Sequence, residues 1–398
     1  MHKKDESIPV DIRHIEKMKI SLLPALNGDC ILVEYQPSRF ILIDGGYVDT
    51  YSNYLLPKLK EIKANGGVID LLVVTHIDGD HISGIVRLLE EELPISIGSV
   101  WYNGYRHIQS PAIVSKDLET FVHSNICKSS TMEEVKPVSA RQGCTLSTLI
   151  MSHNLPWNSP SDGKCLMAPM TVSMGDTKIH ILTPYKNDIL NLENYWKKSL
   201  IKNGLLSKAH SGEYWDDAYE FSLSKEKPGF RFHEKKVSKS CDLLKIREEE
   251  YVPDSSATNG SSFSFVLDSD GKRILFLGDA HAETVLNALI NLYGDENKPY
   301  WFDAVKLSHH GSYSNNSPEL LNMIRSDKWM ISTNGLKYNH PDMPTLAHII
   351  TNDEHDCKRL YFNYKLDIGV DLTREMCHKD YDFEIVMPEE ENGITITI

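Results

Sequence analysis

The feature that most constrains the fold is a short, continuous apolar run, IDLLVVT, at residues 69–75. Polar turn residues bound it on both sides, which is typical of a strand buried on both faces. Two strand-like runs, CILVEYQ (30–36) and FILID (40–44), precede it, and a polar stretch with helical spacing follows the second of them. Strands and helices that alternate in this way predict a layered α/β architecture.

The same pattern returns in the second half of the chain. The runs KIHILTP (178–184), SSFSFVLD (261–268) and KRILFLGD (272–279) are strand-like, and the turn Ser269-Asp270-Gly271 joins the last two into a predicted hairpin. A helix that ends at a glycine is predicted over residues 280–294. Further elements are expected in 303–312, 318–325, 329–335 and 394–398, and a short helix around 116–127.

The composition excludes several classes of protein. The chain has 398 residues and a formal net charge of −14, and an acidic balance gives no general attraction to nucleic acid or to anionic membranes. No apolar run reaches the roughly 18 residues of a membrane span, and the polar first residues lack the apolar core of a signal peptide. Seven scattered cysteines without a CxxC pair suit a reducing compartment. We therefore expect a cytoplasmic protein with no membrane partner.

The strongest chemical signal directly follows the first apolar run, in the segment THIDGDH (75–81). It places two imidazoles and two carboxylates within six residues, on His76, Asp78, Asp80 and His81. The end of a strand is rigid, and the turn after it can aim several side chains at one point. Because imidazoles and carboxylates are ligands for divalent cations, the segment predicts a site for one or two metal ions.

Three other predicted strands also end on residues that can bind ligands. LFLGD (275–279) ends in Asp279, LSHHGS (307–312) carries adjacent histidines, and NHP (339–341) follows a later strand. Ligand sites in α/β sheets gather at the carboxyl ends of the strands. Each segment is weak evidence alone, but together they predict one shared site.

These segments, in this order, resemble the motifs of the metallo-β-lactamase superfamily. With ILIDGG (41–46), they look most like its ComEC-type branch, named for the hydrolase domain of the bacterial DNA-uptake channel protein. The resemblance spans roughly residues 17–345. It implies an αββα sandwich with the metals at one edge between the two sheets. We expect a single domain over residues 1–398, with insertions at about 102–175 and 185–260 and a C-terminal extension from about 345 that only caps the sandwich.

The resemblance also implies the ligands, by position. His76, Asp78, Asp80 and His81 fill the four-ligand motif, Asp279 matches the aspartate that bridges two metals, and His309 or His310 matches the late histidine, with His309 favoured. The implied cofactors are two divalent ions, Zn²⁺ or Mn²⁺, because Asp78 in place of a histidine hardens the site. The mid-chain histidine ligand of the wider superfamily has no convincing match, and the nearest candidates are His153 and His180.

A catalytic mechanism follows from these metals. A water between two ions loses a proton near neutral pH and becomes the nucleophile, and Asp80 or Asp279 orients it. His340, or the member of the 309/310 pair that is not a ligand (His310 in the favoured assignment), protonates the leaving group or holds the oxyanion. Asp44 matches a family aspartate that supports the site through hydrogen bonds.

Three functions remain open from the sequence. The first is a phosphodiesterase or nuclease acting on DNA or RNA, the second is a hydrolase of small phosphoesters or acyl esters, and the third is a non-enzymatic partner subunit of a bacterial defence-type complex. The sequence does not determine the oligomeric state. Residues 195–247 hold 12 Lys+Arg against 7 Asp+Glu, a local charge of +5, with interleaved aromatic residues. Such a segment either binds a nucleic-acid strand or covers the sandwich.

Overall fold

The computed structural model describes residues 17–108, 146–202, 242–352, 357–368, 372 and 381–398. Its strands are β1 (Lys19–Leu22), β2 (Ile31–Gln36), β3 (Arg39–Ile43), β4 (Val68–Val73), β5 (Ile97–Trp101), β6 (Met170–Met174), β7 (Thr177–Thr183), β8 (Ser264–Ser269), β9 (Lys272–Phe276), β10 (Tyr300–Trp301), β11 (Ala304–Lys306), β12 (Ile324–Arg325), β13 (Lys328–Ile331), β14 (Lys358–Phe362), β15 (Phe383–Val386) and β16 (Ile394–Thr397). Its α-helices are α1 (Val48–Thr50), α2 (Leu56–Ala64), α3 (Gly79–Glu90), α4 (Tyr105–Ile108), α5 (Leu146–Ser152), α6 (Lys186–Lys202), α7 (Leu243–Arg247), α8 (Ala257–Gly260), α9 (Ala282–Tyr293), α10 (Pro318–Met323) and α11 (Met343–Thr351).

The strands form two large mixed sheets. The first has the order β16-β1-β2-β3-β4-β5, and β3, β4 and β5 run parallel to one another. The second has the order β15-β14-β13-β11-β9-β8-β7-β6, and β9, β11, β13, β14 and β15 run parallel. Each sheet therefore has a run of parallel strands whose carboxyl ends meet at one edge, where ligand sites of α/β proteins form.

Three apolar layers hold the molecule together. Strand β2 shows the alternation, because Ile31 and Val33 pack against the second sheet and Leu32 packs on the helical side. The middle layer joins the inner faces of both sheets. Helices α2 and α3 cover the outer face of the first sheet, and α9, α10 and α11 cover the outer face of the second. The predicted αββα sandwich is thus confirmed.

The C-terminal residues do more than cap this sandwich. Strands β14 and β15 extend the second sheet, and β16 pairs with β1 in the first sheet, with Ile20 opposite Ile396. Strand β6 lies within the first predicted insertion and also pairs into the second sheet. The strand at 394–398 was predicted, whereas β6, β14 and β15 were missed. Strands β6 and β15 are partly exposed edge strands of the second sheet, so they lack the continuous apolar run of a buried strand.

Two sequence predictions lie outside the described residues. They are the short helix around 116–127 and most of the basic segment 195–247, of which 203–241 is not described. In the described part of the chain, the helices are too short or too polar to cross a bilayer.

Candidate metal centre

The candidate site lies where parallel strands of both sheets end. Asp44 follows β3, the THIDGDH segment follows β4 and enters α3, Asp279 follows β9, and the adjacent histidines follow β11. Segments that are more than 200 residues apart in the chain therefore share one edge of the sandwich. The fold brings together the predicted side chains of both halves of the sequence.

The centre of the site is one oxygen atom of Asp279. Four imidazole Nε2 atoms surround its Oδ2, at 3.7 Å for His76, 3.5 Å for His81, 3.9 Å for His309 and 3.8 Å for His310. These distances are too long for hydrogen bonds. They are close to the spacing of about 3.4 Å between ligands that share one tetrahedral ion with bonds of about 2.0–2.1 Å.

Several of these atoms are buried without a hydrogen-bond partner among the described residues. They are Nε2 of His76, His81 and His310, and Oδ1 of Asp279. Leaving a buried polar atom unpaired costs about 1–3 kcal/mol, so four such atoms around one point need an explanation. Divalent cations would satisfy all of them at once, and the residues therefore fit the implied metals.

The histidines present Nε2 because their other ring nitrogen is held. The Nδ1 atom of His81 lies 2.8 Å from Asp44 Oδ2, that of His309 lies 2.8 Å from Asn315 Oδ1, and that of His310 lies 2.9 Å from the carbonyl of Ser332. In each pair Nδ1–H donates to the oxygen, which leaves the Nε2 lone pair free. Partners of this kind fix the ring and the tautomer of metal-binding histidines.

Asp44 organises the two ends of the THIDGDH segment. It is fully buried, and its carboxylate accepts hydrogen bonds from the Thr75 amide at 2.8 Å, from the Thr75 hydroxyl at 2.6 Å and from His81. Its φ of +54° is in the left-handed region, which is costly for a residue other than glycine. Asp44 thus contacts the candidate ligand His81 on its Nδ1 side, away from Asp279. A supporting role through hydrogen bonds requires such a contact.

The charges in the cluster favour a cation at its centre. Burial lowers the pKa of His81, but the carboxylates of Asp279 and Asp44 outweigh burial and raise this pKa well above its ordinary value. Burial raises the pKa of Asp279, but His81, His309 and His310 outweigh it and hold this pKa well below its usual range. Metal ions displace protons from their ligands. A divalent ion would therefore supply the positive charge that protonated histidines otherwise provide among these carboxylates.

The remaining carboxylates lie on either side of Asp279. Asp78 Oδ2 lies 3.7 Å from His76 Nε2. Asp80, His81 and His310 form a group whose ligand atoms lie within 4.8 Å of one another, and so do His76, His81 and Asp279. The side chains thus divide into two overlapping sets, which is the arrangement expected for two ions.

The two adjacent histidines, His309 and His310, differ in their surroundings. Both residues adopt a left-handed φ, of +43° and +57°, and their rings are tilted 69° apart. His310 is buried and belongs to two of the candidate metal groups, whereas His309 is half-buried and belongs to none among the described residues. His310 is therefore the better candidate ligand, and His309 is the better candidate for a role facing the substrate.

The other histidines considered divide into one near the site and two elsewhere. The His340 ring lies 5.5 Å from that of His309, which places it beside the cluster. His153 contacts the carbonyl of Leu89 through Nε2 at 2.7 Å, and His180 contacts the Thr171 hydroxyl through Nδ1 at 2.9 Å. Neither His153 nor His180 belongs to a candidate metal group of the described residues. Neither of them therefore fills the place of the superfamily's mid-chain histidine ligand.

Sequence reasoning missed a group of polar residues in the loop between β1 and β2. Asn27 donates a hydrogen bond to Asp80, and the Tyr47 hydroxyl donates to Asn27 at 3.0 Å. Asp29 is buried, pairs with the buried Lys306 at 2.7 Å, and lies 3.7 Å from Nδ1 of His310. The only signal in the sequence was the turn Asn27-Gly28-Asp29 at a strand boundary, which many proteins have for structural reasons alone.

Comparison with known families agrees with the first half of this site. The model of the metallo-beta-lactamase superfamily matches residues 23–106. This segment of the chain is thus similar to the metallo-beta-lactamase superfamily. It contains strands β2 to β5 and the THIDGDH motif, but it ends before Asp279 and the paired histidines. The superfamily resemblance is thereby confirmed over this segment, and the ComEC-type branch stays a prediction.

Comparisons with whole proteins give weaker likenesses. No curated protein sequence matches the chain. Similar solved structures include the metallo-beta-lactamase fold protein YhfI from Bacillus subtilis and Zn²⁺-bound PqqB from Methylobacterium extorquens, each at 8% identity and a TM-score of 0.38, covering 96% of this chain and 100% of that chain. A point mutant of the CmlA beta-hydroxylase has 11% identity and a TM-score of 0.36, covering 99% of this chain and 55% of that chain. With TM-scores below 0.5, these likenesses add nothing to the fold or to the site.

Proposed function

We propose that the protein is a divalent-metal-dependent hydrolase of the ComEC type that cleaves phosphodiesters. The observation that carries this proposal is the convergence of four histidine Nε2 atoms on one buried oxygen of Asp279. A purely structural cluster would pair these atoms with hydrogen-bond partners, because buried polar atoms in folded proteins are nearly always paired. Here the partners are on the Nδ1 side, and the Nε2 side faces the shared centre.

Two overlapping sets of residues would hold the ions. His76, His81 and Asp279 form the first set, with Asp78 beside His76, and Asp80, His81 and His310 form the second. When bound, two divalent ions polarise a phosphoryl oxygen and activate a water for attack. The mixture of imidazoles and carboxylates suits Zn²⁺ or Mn²⁺.

The donor set supports phosphodiesters as the substrate. Three of the six candidate ligands are carboxylates, which are hard oxygen donors and match ions that bind the hard oxygens of phosphate. Paired metal sites recur in phosphatases and nucleases because two ions stabilise both the attacking and the leaving oxygen. The three carboxylates also offset most of the four positive charges of two divalent ions, so that the centre is tolerated inside the protein.

The side chains around the ligands have roles of their own. Asn27 holds the carboxylate of Asp80 in one orientation, which is needed if Asp80 is to position a water. His340 lies beside His309, and its proposed role is to donate a proton to the leaving oxygen. Asp44, Asn315 and Ser332 keep three imidazoles in the tautomer that presents Nε2.

A direct test is hydrolysis by the purified protein supplemented with Mn²⁺, Zn²⁺ or Mg²⁺. The substrates are bis-p-nitrophenyl phosphate, p-nitrophenyl acetate, single-stranded DNA, duplex DNA and RNA. We expect metal-dependent cleavage of the phosphodiester and no cleavage of the acyl ester. Cleavage of the small diester without any polymer would favour a small-molecule hydrolase instead.

The matched variants are Asp80→Ala and His81→Ala. Each removes a candidate ligand, so we expect loss of bound metal and of hydrolysis while circular dichroism shows a retained fold. Asp49→Ala, which removes an exposed carboxylate on α1, is the control and is expected to retain both. Full activity in either ligand variant would contradict the proposed centre.

A further inference from the structure

The mouth of the candidate metal centre carries an exposed lysine, Lys337, in the loop after β13. Its ammonium lies 4.8 Å from the centre of the Tyr338 ring, and Leu336 before it is 83% exposed. The loop therefore projects into solvent and places a cation and an aromatic ring side by side. Exposed apolar and aromatic residues next to a cation are a common arrangement for binding anionic ligands that carry rings.

Two chains of contacts connect Lys337 to the metal ligands from opposite sides. On one side, Asp80 accepts a hydrogen bond from Asn27, and Asn27 accepts one from the Tyr47 hydroxyl. Lys337 lies close enough to Tyr47 and to the Asp80 carboxylate to interact with both. Lys337 is thus connected to one candidate ligand from this side.

On the other side, the contacts run through aromatic rings. The Tyr338 ring lies 6.0 Å from that of His340, and the His340 ring lies 5.5 Å from that of His309. Lys337 is therefore connected through Tyr338 and His340 to the His309 side of the same site. Lys306, a second lysine near the site, is 1% exposed and is paired with Asp29, so it cannot reach a substrate.

The charge of Lys337 is secure at neutral pH. Partial burial lowers its pKa, but the interaction with Tyr338 and the charge of the Asp80 carboxylate oppose burial, and the pKa is raised overall. The surrounding site is rich in carboxylates, which repel an approaching polyanion. A fixed cation at the rim offsets this repulsion at one place.

We propose that Lys337, between Tyr47 and Tyr338, is the subsite for a phosphate group next to the one being cleaved, which makes a nucleic-acid strand the substrate class. This inference rests on the proposed phosphodiesterase function. The contacts that connect Lys337 to His309 run through the rings of Tyr338 and His340, so we assign its ammonium to a group beside the reacting phosphoryl. A strand supplies such a second phosphate, whereas a small diester does not. The Tyr338 ring offers a face on which a neighbouring base stacks.

The test compares two substrates and two kinds of measurement. Lys337→Ala is expected to raise the KM for a fluorescein-labelled, single-stranded oligonucleotide about tenfold and to change kcat/KM for bis-p-nitrophenyl phosphate less than twofold. Binding of the same oligonucleotide to chelator-treated protein, followed by fluorescence anisotropy, is expected to weaken by a similar factor. The plot of log Kd against log salt is expected to lose about one unit of slope, as for the loss of one phosphate contact.

Two further variants separate charge from structure. Lys337→Arg keeps the cation and is expected to bind the oligonucleotide as the unmodified protein does. Lys178→Ala removes an exposed lysine on β7, away from the site, and is expected to change nothing. An unchanged salt slope in Lys337→Ala, an equal loss for both substrates, or no oligonucleotide binding by the unmodified protein would overturn the inference.

The outcomes distinguish this inference from the proposed function. If the unmodified protein cleaves no diester with any metal, the proposed function fails, and the binding measurements still decide the role of Lys337. If it cleaves bis-p-nitrophenyl phosphate but Lys337→Ala binds and cleaves the oligonucleotide normally, only the subsite fails.

Discussion

At the scale of single residues, the candidate centre depends on side chains that are not ligands. Asp44 is the clearest case, because one buried carboxylate accepts from both donors of Thr75 and from the ring of His81. A residue in this position fixes a ligand's direction and its tautomer. Its unfavourable left-handed backbone is maintained by these three hydrogen bonds.

Replacing Asp44 by asparagine tests this role. In Asp44→Asn an amide group replaces one acceptor oxygen and faces a donor, so His81 or Thr75 loses its partner. We expect the affinity for Zn²⁺ or Mn²⁺ to fall about 10–100-fold and the free energy of unfolding to fall by about 1–3 kcal/mol. Competition with a fluorescent chelator and denaturant unfolding measure the two quantities.

The control for Asp44→Asn is Asp49→Asn, since it removes the same charge from an exposed residue nearby. We expect it to bind metal normally. Unchanged affinity in Asp44→Asn would mean that the interaction with His81 does not position the ligand.

At the scale of elements, the site depends on how closely α3 approaches the turn after β3. The Gly84 amide donates to the Gly46 carbonyl at 2.8 Å, and the Gly45 amide donates to the His81 carbonyl at 2.9 Å. A Cβ atom on Gly84 would lie only 1.9 Å from the Gly45 carbonyl oxygen. Glycine at position 84 therefore lets the helix that carries Asp80 and His81 lie against the turn that carries Asp44.

Substituting Gly84 by alanine tests this packing. The added methyl group in Gly84→Ala forces α3 away from the turn, because the opposing atom is backbone and cannot rotate away. We expect the free energy of unfolding to fall by about 3 kcal/mol and metal affinity to fall with it, measured by denaturant unfolding and metal titration. Ser83→Ala, which adds no atom to the same helix, is the control; a Gly84→Ala protein as stable as this control would show that α3 can shift freely.

At the scale of the whole molecule, the candidate ligands join the two sheets. His76, Asp78, Asp80 and His81 come from the first sheet, and Asp279 and His310 follow strands of the second. Bound ions would therefore cross-link the two halves of the sandwich at one edge. An unfolded chain has no such arrangement, so any metal bound to the native state adds to stability.

Removal of metal should therefore lower the thermal midpoint. At a free ion concentration about 100 times Kd, binding contributes about 2.7 kcal/mol, so we expect a chelator to lower Tm by several degrees. Differential scanning calorimetry with and without EDTA measures the difference. In His81→Ala the effect of EDTA should disappear, and an equal shift in both proteins would mean that the stabilising ion binds elsewhere.

Much of this architecture follows from local patterns. Short apolar runs predicted β2, β3, β4, β8 and β9, and apolar residues at a period of 3.6 predicted α9. Such predictions succeed because an element that is buried on one or both faces has a regular spacing of apolar residues. The strands β5, β6, β14 and β15 escaped prediction. Strands β5, β6 and β15 are partly exposed and lie at sheet edges, and such strands lack the continuous apolar run that identifies a buried strand.

By itself, the sequence determined the layered α/β class, through its apolar runs. It also determined the types of candidate ligand, because THIDGDH (75–81) holds four potential metal ligands within six residues, whatever the position of this segment in the fold. Only the tertiary structure distinguishes His309 from His310, since adjacent residues have nearly the same position in the chain but differ here in burial and in ring orientation. It also brought Asn27, Asp29 and Lys337 to the candidate site. Their distances to the centre depend on the order in which strands pair, and strand order is a property of the whole fold.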